Sequence, residues 1–237
     1  MRQDDVCNDV KMIPLRDENP TRTFPFVTLA IIAANILVFI YEFNLGSRLE
    51  DAIMHFAVIP YDVTHRIFDA RVIFTLFSSL FFHGGIFHIL GNMLYLWVFG
   101  NNIEDRLGHL RFVFFYFACG IFATIGHILF AVNSKTPLIG ASGAISGVLG
   151  AYLILFPRAR VLVLVPIFLF WRIIRISAKW FLLFWIALQF FNVTNSRVFM
   201  DAANDGGVAW FAHIGGFFAG IFLLWVLTPA QKKRSAH

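Results

Sequence analysis

The sequence has little charge. Only 14% of its 237 residues are Asp, Glu, Lys or Arg, while 59% are hydrophobic and the mean hydropathy is +0.73. An average soluble domain carries about 25% charged residues, so this composition excludes an ordinary soluble protein. The composition instead predicts a polytopic membrane protein.

Cysteine is also scarce, since Cys7 and Cys119 are the only two. They give neither metal-ligand spacing nor a disulfide framework.

The 14 acidic residues lie in the N-terminal segment, in loops or at the edges of apolar stretches, with Glu42 the nearest to a membrane core. Paired intramembrane aspartates and carboxylate proton relays are therefore excluded. There is no H-E-x-x-H motif, so we expect no metal and no other cofactor.

Six apolar stretches come near the ~20 residues that cross a bilayer. They are residues 25–43, 84–100, 110–132, 141–156, 178–192 and 207–228. A seventh run, Val161 to Trp171, is interrupted by Pro166 and flanked by arginines, and we expect it to lie at the membrane interface. The pattern predicts an all-α bundle of six transmembrane helices over residues 25–228. An N-terminal segment (1–24), a long outer loop one (44–82), an inner basic loop (157–177) and a basic tail (229–237) complete the expected organisation.

The basic residues predict the orientation. With the N-terminus inside, 14 of the 19 Lys and Arg residues lie in inner segments and five lie in outer loops, as the positive-inside rule requires. We therefore expect both termini in the cytoplasm. The absence of a signal or transit peptide favours a bacterial-type plasma membrane. The net charge of +5 indicates contact with anionic lipids in the bilayer, and no nucleic acid partner is expected.

Polar side chains lie at the starts of the second, fourth and sixth stretches, all on the predicted outer side. They are His83, His88 and Asn92, then Ser142, then His213. The 15 residues from Ser142 to Phe156 span only about 22 Å, whereas the hydrocarbon is about 30 Å thick. We therefore expect Ser142 to lie below the membrane surface, in a pocket open to outside water.

Small residues recur every four positions after Ser142 and around His213. They are Gly143, Gly147 and Ala151 in the fourth stretch and Ala212, Gly216 and Gly220 in the sixth. Such faces allow two helices to approach closely. Close approach permits a Ser142–His213 hydrogen bond, which is either a catalytic pair or a polar contact that holds the helices together. In a catalytic pair, Ser142 attacks a carbonyl while neutral His213 accepts its proton.

The sequence also offers hydrogen-bond donors that could stabilise the oxyanion formed during such an attack. The N-terminus of the fourth helix offers backbone N–H groups and the positive end of its dipole. His88 and Asn92 are four residues apart, so both face the same side of the second helix and can donate hydrogen bonds. Alternatively, each makes a hydrogen bond between helices.

Three segments together resemble the signature of the rhomboid intramembrane serine proteases. They are His83-Gly84-Gly85-Ile86-Phe87-His88-Ile89-Leu90-Gly91-Asn92, Gly140-Ala141-Ser142-Gly143, and Ala212-His213-Ile214-Gly215-Gly216 with Gly220. The resemblance covers residues 25–228, with the motifs in the family's order. It implies that Ser142 is the nucleophile, that His213 is the base, and that His88, Asn92 and the Ser142 backbone form the oxyanion hole. Gly140 matches the first glycine of the serine motif, and His83 matches a histidine with a structural or water-binding role.

Two positions depart from the family pattern. Arg71-Val72-Ile73-Phe74-Thr75 in loop one lacks the Trp-Arg pair of many members, and Ser146 replaces an aromatic residue that stacks on the catalytic histidine in some. Neither departure changes the serine or the histidine. The resemblance implies an intramembrane serine endopeptidase that cleaves single-span membrane proteins near the outer end of their helix. The alternative is a catalytically inactive rhomboid-like protein that binds or escorts transmembrane clients.

Overall fold

The computed structural model describes residues 12–167, 170–195 and 209–228. Cys7, the basic tail 229–237 and Arg197 with most of the last predicted outer loop lie outside the described residues. The described part contains nine α-helices: α1 (Phe26–Asn44), α2 (Leu49–Phe56), α3 (Pro60–His65), α4 (Ala70–Ser78), α5 (Ile86–Leu107), α6 (His109–Ile128), α7 (Ser142–Leu155), α8 (Ala178–Asn195) and α9 (Trp210–Leu227).

Helices α1 and α5 to α9 coincide with the six predicted apolar stretches to within a few residues, apart from the longer C-terminal end of α5. By length and composition, three helices in the described part are fit to cross a membrane: α1, α6 and α9. A fourth span results if residues 70–81 and α5, which meet at 83°, count as one broken segment. Helices α7 and α8 are apolar but shorter. The chain is thus a mostly helical multi-pass membrane protein, and the count of six spans stays a prediction.

Helix α7 lies at the centre of the bundle. Its residues from Gly143 to Tyr152 are all buried, so this helix is surrounded by other parts of the protein on every side. It packs against α9 through glycines. A Cβ atom added to Gly216 would overlap the carbonyl of Gly143, and one added to Gly220 would overlap the backbone of Gly147. The two helices therefore touch backbone to backbone, as the small-residue pattern predicts.

The segment between α7 and α8 forms a β-hairpin, and the all-α prediction is wrong here. Strands β1 (Ile13–Asp17), β2 (Arg160–Ile167) and β3 (Phe170–Ser177) form an antiparallel sheet in the order β1-β2-β3. β-Branched residues alternate along β2, and the buried Val161, Val163 and Val165 share one face. β2 pairs with β1 only as far as Leu164, so Pro166 lies where one side of the strand is open.

The first strand is fastened to the bundle by the Asp17 carboxylate. This group accepts hydrogen bonds from the Tyr152 hydroxyl of α7 and from the Asn102 amide of α5, both at 2.7 Å. Burial raises the pKa of Asp17 above its ordinary value, and the two hydrogen bonds oppose that shift. We call this end of the bundle, where α7 ends and α8 begins, the sheet end, and the opposite end, where α5, α7 and α9 begin, the site end.

A second buried carboxylate joins α1 to α5 at the sheet end. Glu104 is fully buried and accepts hydrogen bonds from the backbone N–H groups of Val27 and Thr28, at 2.9 and 2.7 Å, and from the Thr28 hydroxyl at 2.6 Å. Its other neighbour is His109, 2.6 Å away. Because no side chain of α1 itself caps that helix, Glu104 satisfies its first free N–H groups from outside.

Close packing of α9 on α7 predicts opposite effects for two glycine substitutions. Gly220→Ala places a methyl group in the backbone of Gly147 and should lower the free energy of unfolding by about 2–3 kcal/mol. Gly91→Ala on α5 is the matched control, since its Cβ would meet no atom within 4 Å; Ala there should favour the helix by up to about 1 kcal/mol. Thermal unfolding midpoints in detergent measure both effects. A Gly220→Ala variant as stable as the wild type would contradict this packing.

Candidate active site

Ser142 and His213 meet at the site end. Ser142 is the first residue of α7, and His213 lies in the first turn of α9. The Ser142 Oγ and His213 Nε2 atoms are 2.9 Å apart, within hydrogen-bond distance. Both residues are half-buried, so the pair is enclosed by the bundle yet partly exposed. The contact depends on the glycine packing of α7 against α9 that begins one residue later, at Gly143.

The opposite edge of the His213 ring contacts α8. The His213 Nδ1 atom lies 2.8 Å from Gln189 Oε1. The rings of Trp185 and Trp210 pack near the imidazole, with centroids 5.8 and 6.0 Å away. Both tryptophans lie on helices other than α7. Ser146, at the position where some family members have an aromatic residue, donates a hydrogen bond to the Ser142 carbonyl at 2.6 Å.

His88 and Asn92 approach the residues just before Ser142. Gly140 has φ of +119°, a conformation that favours glycine, and a Cβ atom there would lie 2.8 Å from the His88 ring and 3.8 Å from Asn92 Nδ2. The side chains of α5 thus fill the space that a larger residue 140 would need. Asn92 Nδ2 is buried and has no hydrogen-bond partner among the described residues, so it is a donor free to bind an acceptor at this place.

The hydrogen bond to Gly84 assigns the protonation of the His88 ring. Its Nδ1 atom accepts a hydrogen bond from the Gly84 backbone N–H at 3.2 Å. An accepting Nδ1 has no proton, so a neutral ring carries its proton on Nε2. That nitrogen points toward Gly140, where the Cβ position is 2.8 Å away. His88 therefore presents a donor to the same place as Asn92.

His83 supports this arrangement from behind. It is buried, its backbone N–H donates to the Glu42 carboxylate of α1 at 3.1 Å, and its ring lies edge-on to His88 with centroids 4.9 Å apart. Its Nε2 atom has no partner among the described residues. The sequence analysis noted Glu42 only as an acidic residue near the membrane core and did not foresee that it holds the start of α5.

Helix α7 begins without a side-chain cap. Its N-cap residue is Ala141, which has no side chain able to accept from the first backbone N–H groups. The start of α7 is positioned by loop one, since Gly140 N–H donates to the Ser79 carbonyl and Leu138 pairs with Val58. Apart from that pairing, residues 133–139 contain no helix or strand. Uncapped N–H groups at this point suit an anionic oxygen.

Gln189 contacts His213 directly and was not predicted from the sequence. It lies in no recognised motif, but it is the one amide between Trp180 and Phe191, and a polar side chain inside a membrane segment is itself a signal. The predicted site residues lie at helix starts, whereas Gln189 lies in the body of α8 and contacts His213 from the side.

The fold and the site together define a class: a multi-pass helical membrane protein with a hydrogen-bonded serine and histidine inside the bundle. The model of the rhomboid domain matches residues 70–230, which are 161 of the 237 residues. The chain belongs to the rhomboid family.

Curated relatives come from bacteria and from eukaryotes. The chain is 34% identical over 134 residues to the rhomboid protease GluP of Bacillus subtilis, covering 56% of this chain and 24% of that protein. It is 28% identical over 170 residues to the mitochondrial rhomboid protein 1 of Saccharomyces cerevisiae, covering 68% and 43%. It is 30% identical over 203 residues to the human mitochondrial presenilin-associated rhomboid-like protein, covering 84% and 46%. The chain thus spans a quarter to a half of these relatives.

Proposed function

We propose that this protein is an intramembrane serine endopeptidase that hydrolyses peptide bonds in or near the transmembrane segments of membrane proteins. The observation that carries the proposal is the 2.9 Å contact between Ser142 Oγ and His213 Nε2 at the start of a buried helix. Membership in a family that includes a protein named as a protease supports it.

In the proposed reaction, the Ser142 oxygen attacks the carbonyl carbon of the substrate while His213 Nε2 accepts the hydroxyl proton. His213 then donates this proton to the leaving amine nitrogen, which leaves the acyl group on Ser142. A water molecule repeats the sequence: His213 accepts a proton from the water, the water oxygen attacks the ester, and the proton returns to Ser142. No carboxylate is required as a member of the pair.

The negative charge on the carbonyl oxygen during each attack requires donors. The Ser142 backbone N–H, the Nε2–H of His88 and the Nδ2–H of Asn92 are the proposed donors, grouped around Gly140. They are in place before the substrate arrives, because α5 and α7 are packed helices. Such preorganised donors lower the barrier more effectively than water, which must reorient.

We propose single-span transmembrane proteins as substrates, bound from the surrounding bilayer at the site end. The position of Ser142 among apolar helices supports this, since the surrounding lipid is where a transmembrane substrate would be found. The bacterial-type plasma membrane and the cytoplasmic termini stay predictions from the loop charges.

Cleavage of a model single-span substrate in liposomes tests the catalytic pair. We expect the wild type to cut and both Ser142→Ala and His213→Ala to lose about 10³-fold or more in turnover, because each removes one half of the proton transfer. The matched controls are Ser47→Ala and His65→Ala, an exposed serine and an exposed histidine of loop one; both should stay close to wild type. Equal inactivity of all the folded proteins on several substrates would favour a silent client-binding protein.

A separate substitution tests the oxyanion donors. Asn92→Ala should lower kcat by about 10²- to 10³-fold with little change in KM, because the donor acts on charge that develops only in the transition state. Asn44→Ala, which removes an exposed asparagine at the end of α1, is the matched control. Steady-state kinetics on the same substrate measure both. Wild-type kcat in Asn92→Ala would remove Asn92 from the proposed oxyanion hole.

A further inference from the structure

We propose that Gln189 is a positioning residue that fixes the tautomer and the ring orientation of His213. The inference rests on the proposed function for its catalytic meaning, but the tautomer itself is a property of the resting protein. Gln189 lies on α8, a different helix from those of Ser142 and His213, and only 5% of its surface is exposed.

The hydrogen bonds of Gln189 settle which way its amide points. The Nε2 atom donates to the Trp185 backbone carbonyl, 3.1 Å away, one turn earlier on α8. A carbonyl oxygen can only accept, so the amide nitrogen must be on that side. The amide oxygen of Gln189 therefore faces His213, where Oε1 lies 2.8 Å from Nδ1.

This amide orientation in turn decides the position of the imidazole proton. An amide oxygen only accepts hydrogen bonds, so His213 Nδ1 must carry the proton. A neutral imidazole has one ring proton, which leaves the lone pair on Nε2. That lone pair faces the Ser142 hydroxyl at 2.9 Å, as a general base requires. With the other tautomer, His213 would present a donor to Ser142 and could not take its proton.

A neutral amide suits this place better than a carboxylate. Among the described residues, His213 makes side-chain hydrogen bonds to Ser142 and Gln189 and to no acidic group. An ionised side chain inside a membrane segment is costly. An amide orients the imidazole without that cost, as the asparagine of Cys-His-Asn proteases does on another fold.

Helix α8 supports the ring at two points. Trp185 lies one turn before Gln189; its carbonyl holds the amide, and its ring packs beside the imidazole with centroids 5.8 Å apart. The alignment of His213 therefore depends on where α8 lies. The alternative is that Gln189 is only a polar contact that helps to hold α8 against α9. That alternative predicts an effect on stability and none on the tautomer.

The first measurement reads the tautomer directly. Ring ¹⁵N chemical shifts of His213, in protein labelled at histidine, distinguish a protonated Nδ1 from a protonated Nε2 without any substrate. We expect the wild type to hold the proton on Nδ1 and Gln189→Leu to show a mixture of tautomers. Asn192→Leu, the same polar-to-apolar change on the same helix, is the matched control. An unchanged tautomer in folded Gln189→Leu would overturn the proposal.

The second measurement is catalytic. Gln189→Leu should lower kcat by about 10- to 100-fold at nearly constant KM, because a misaligned base costs rate rather than binding. Gln189→Glu keeps the acceptor and adds a negative charge beside His213, so it should retain more activity than Gln189→Leu at high pH. As the pH is lowered, kcat/KM falls when His213 becomes protonated; we call this part of the profile the acid limb. In Gln189→Glu the acid limb should lie about 1 pH unit or more above that of the wild type, since the carboxylate favours the imidazolium.

Among the described residues, His88 of α5 and His127 of α6 are the other titratable groups near enough to His213 to affect its charge. Both are unchanged in all these variants, so a displaced acid limb reports the change at position 189. An acid limb of Gln189→Glu that coincides with the wild-type limb would overturn the proposal, even if Gln189→Leu fails to fold. A fixed tautomer in a wild type that cleaves nothing would instead refute the proposed function while leaving the role of Gln189 intact.

Discussion

Backbone contact between α7 and α9 is the constraint on which the rest of the site depends. Glycines on both helices remove the side chains that would separate them, and the helices meet along Gly143, Gly147, Gly216 and Gly220. Ser142 and His213 lie at the end of this glycine contact that is nearer the helix starts. Their side chains therefore come within hydrogen-bond distance of each other. Glycine costs helix stability in an isolated helix. Larger residues at these positions would separate α7 from α9 and so move the proposed base away from the nucleophile.

Uncharged side chains make the hydrogen bonds of Ser142 and His213, whereas buried carboxylates fasten other parts of the bundle. Ser142, His213, Gln189 and Asn92 are all uncharged in the proposed resting state, which suits a place enclosed by apolar helices. The carboxylates of Asp17 and Glu104 instead fasten β1 and α1 near the opposite end. The Glu42 carboxylate does lie at the site end, but it binds the backbone N–H of His83. The described side-chain hydrogen bonds of Ser142 and His213 involve no carboxylate.

Much of the bundle and the central pair could be predicted from the sequence, because each rests on a local signal. Apolar length places α1 and α6 to α9, and the GxSG element places Ser142 at the start of α7. The hairpin of β2 and β3 was missed because a short apolar run with basic flanks reads equally well as an interfacial segment; only pairing with β1, some 150 residues earlier, reveals the strands. Gln189 was missed for a related reason. Its contact to His213 depends on how α8 packs, and no sequence spacing encodes that.

The central claim is that His213 makes the Ser142 hydroxyl a nucleophile. Reaction with a serine-directed fluorophosphonate, followed by mass spectrometry of the labelled peptide, tests this claim without assuming any substrate. The account predicts a phosphonyl adduct on Ser142 in the wild type and its loss in folded His213→Ala, because the hydroxyl then has no base. Absence of labelling in the folded wild type, or equal labelling in the two proteins, would contradict it.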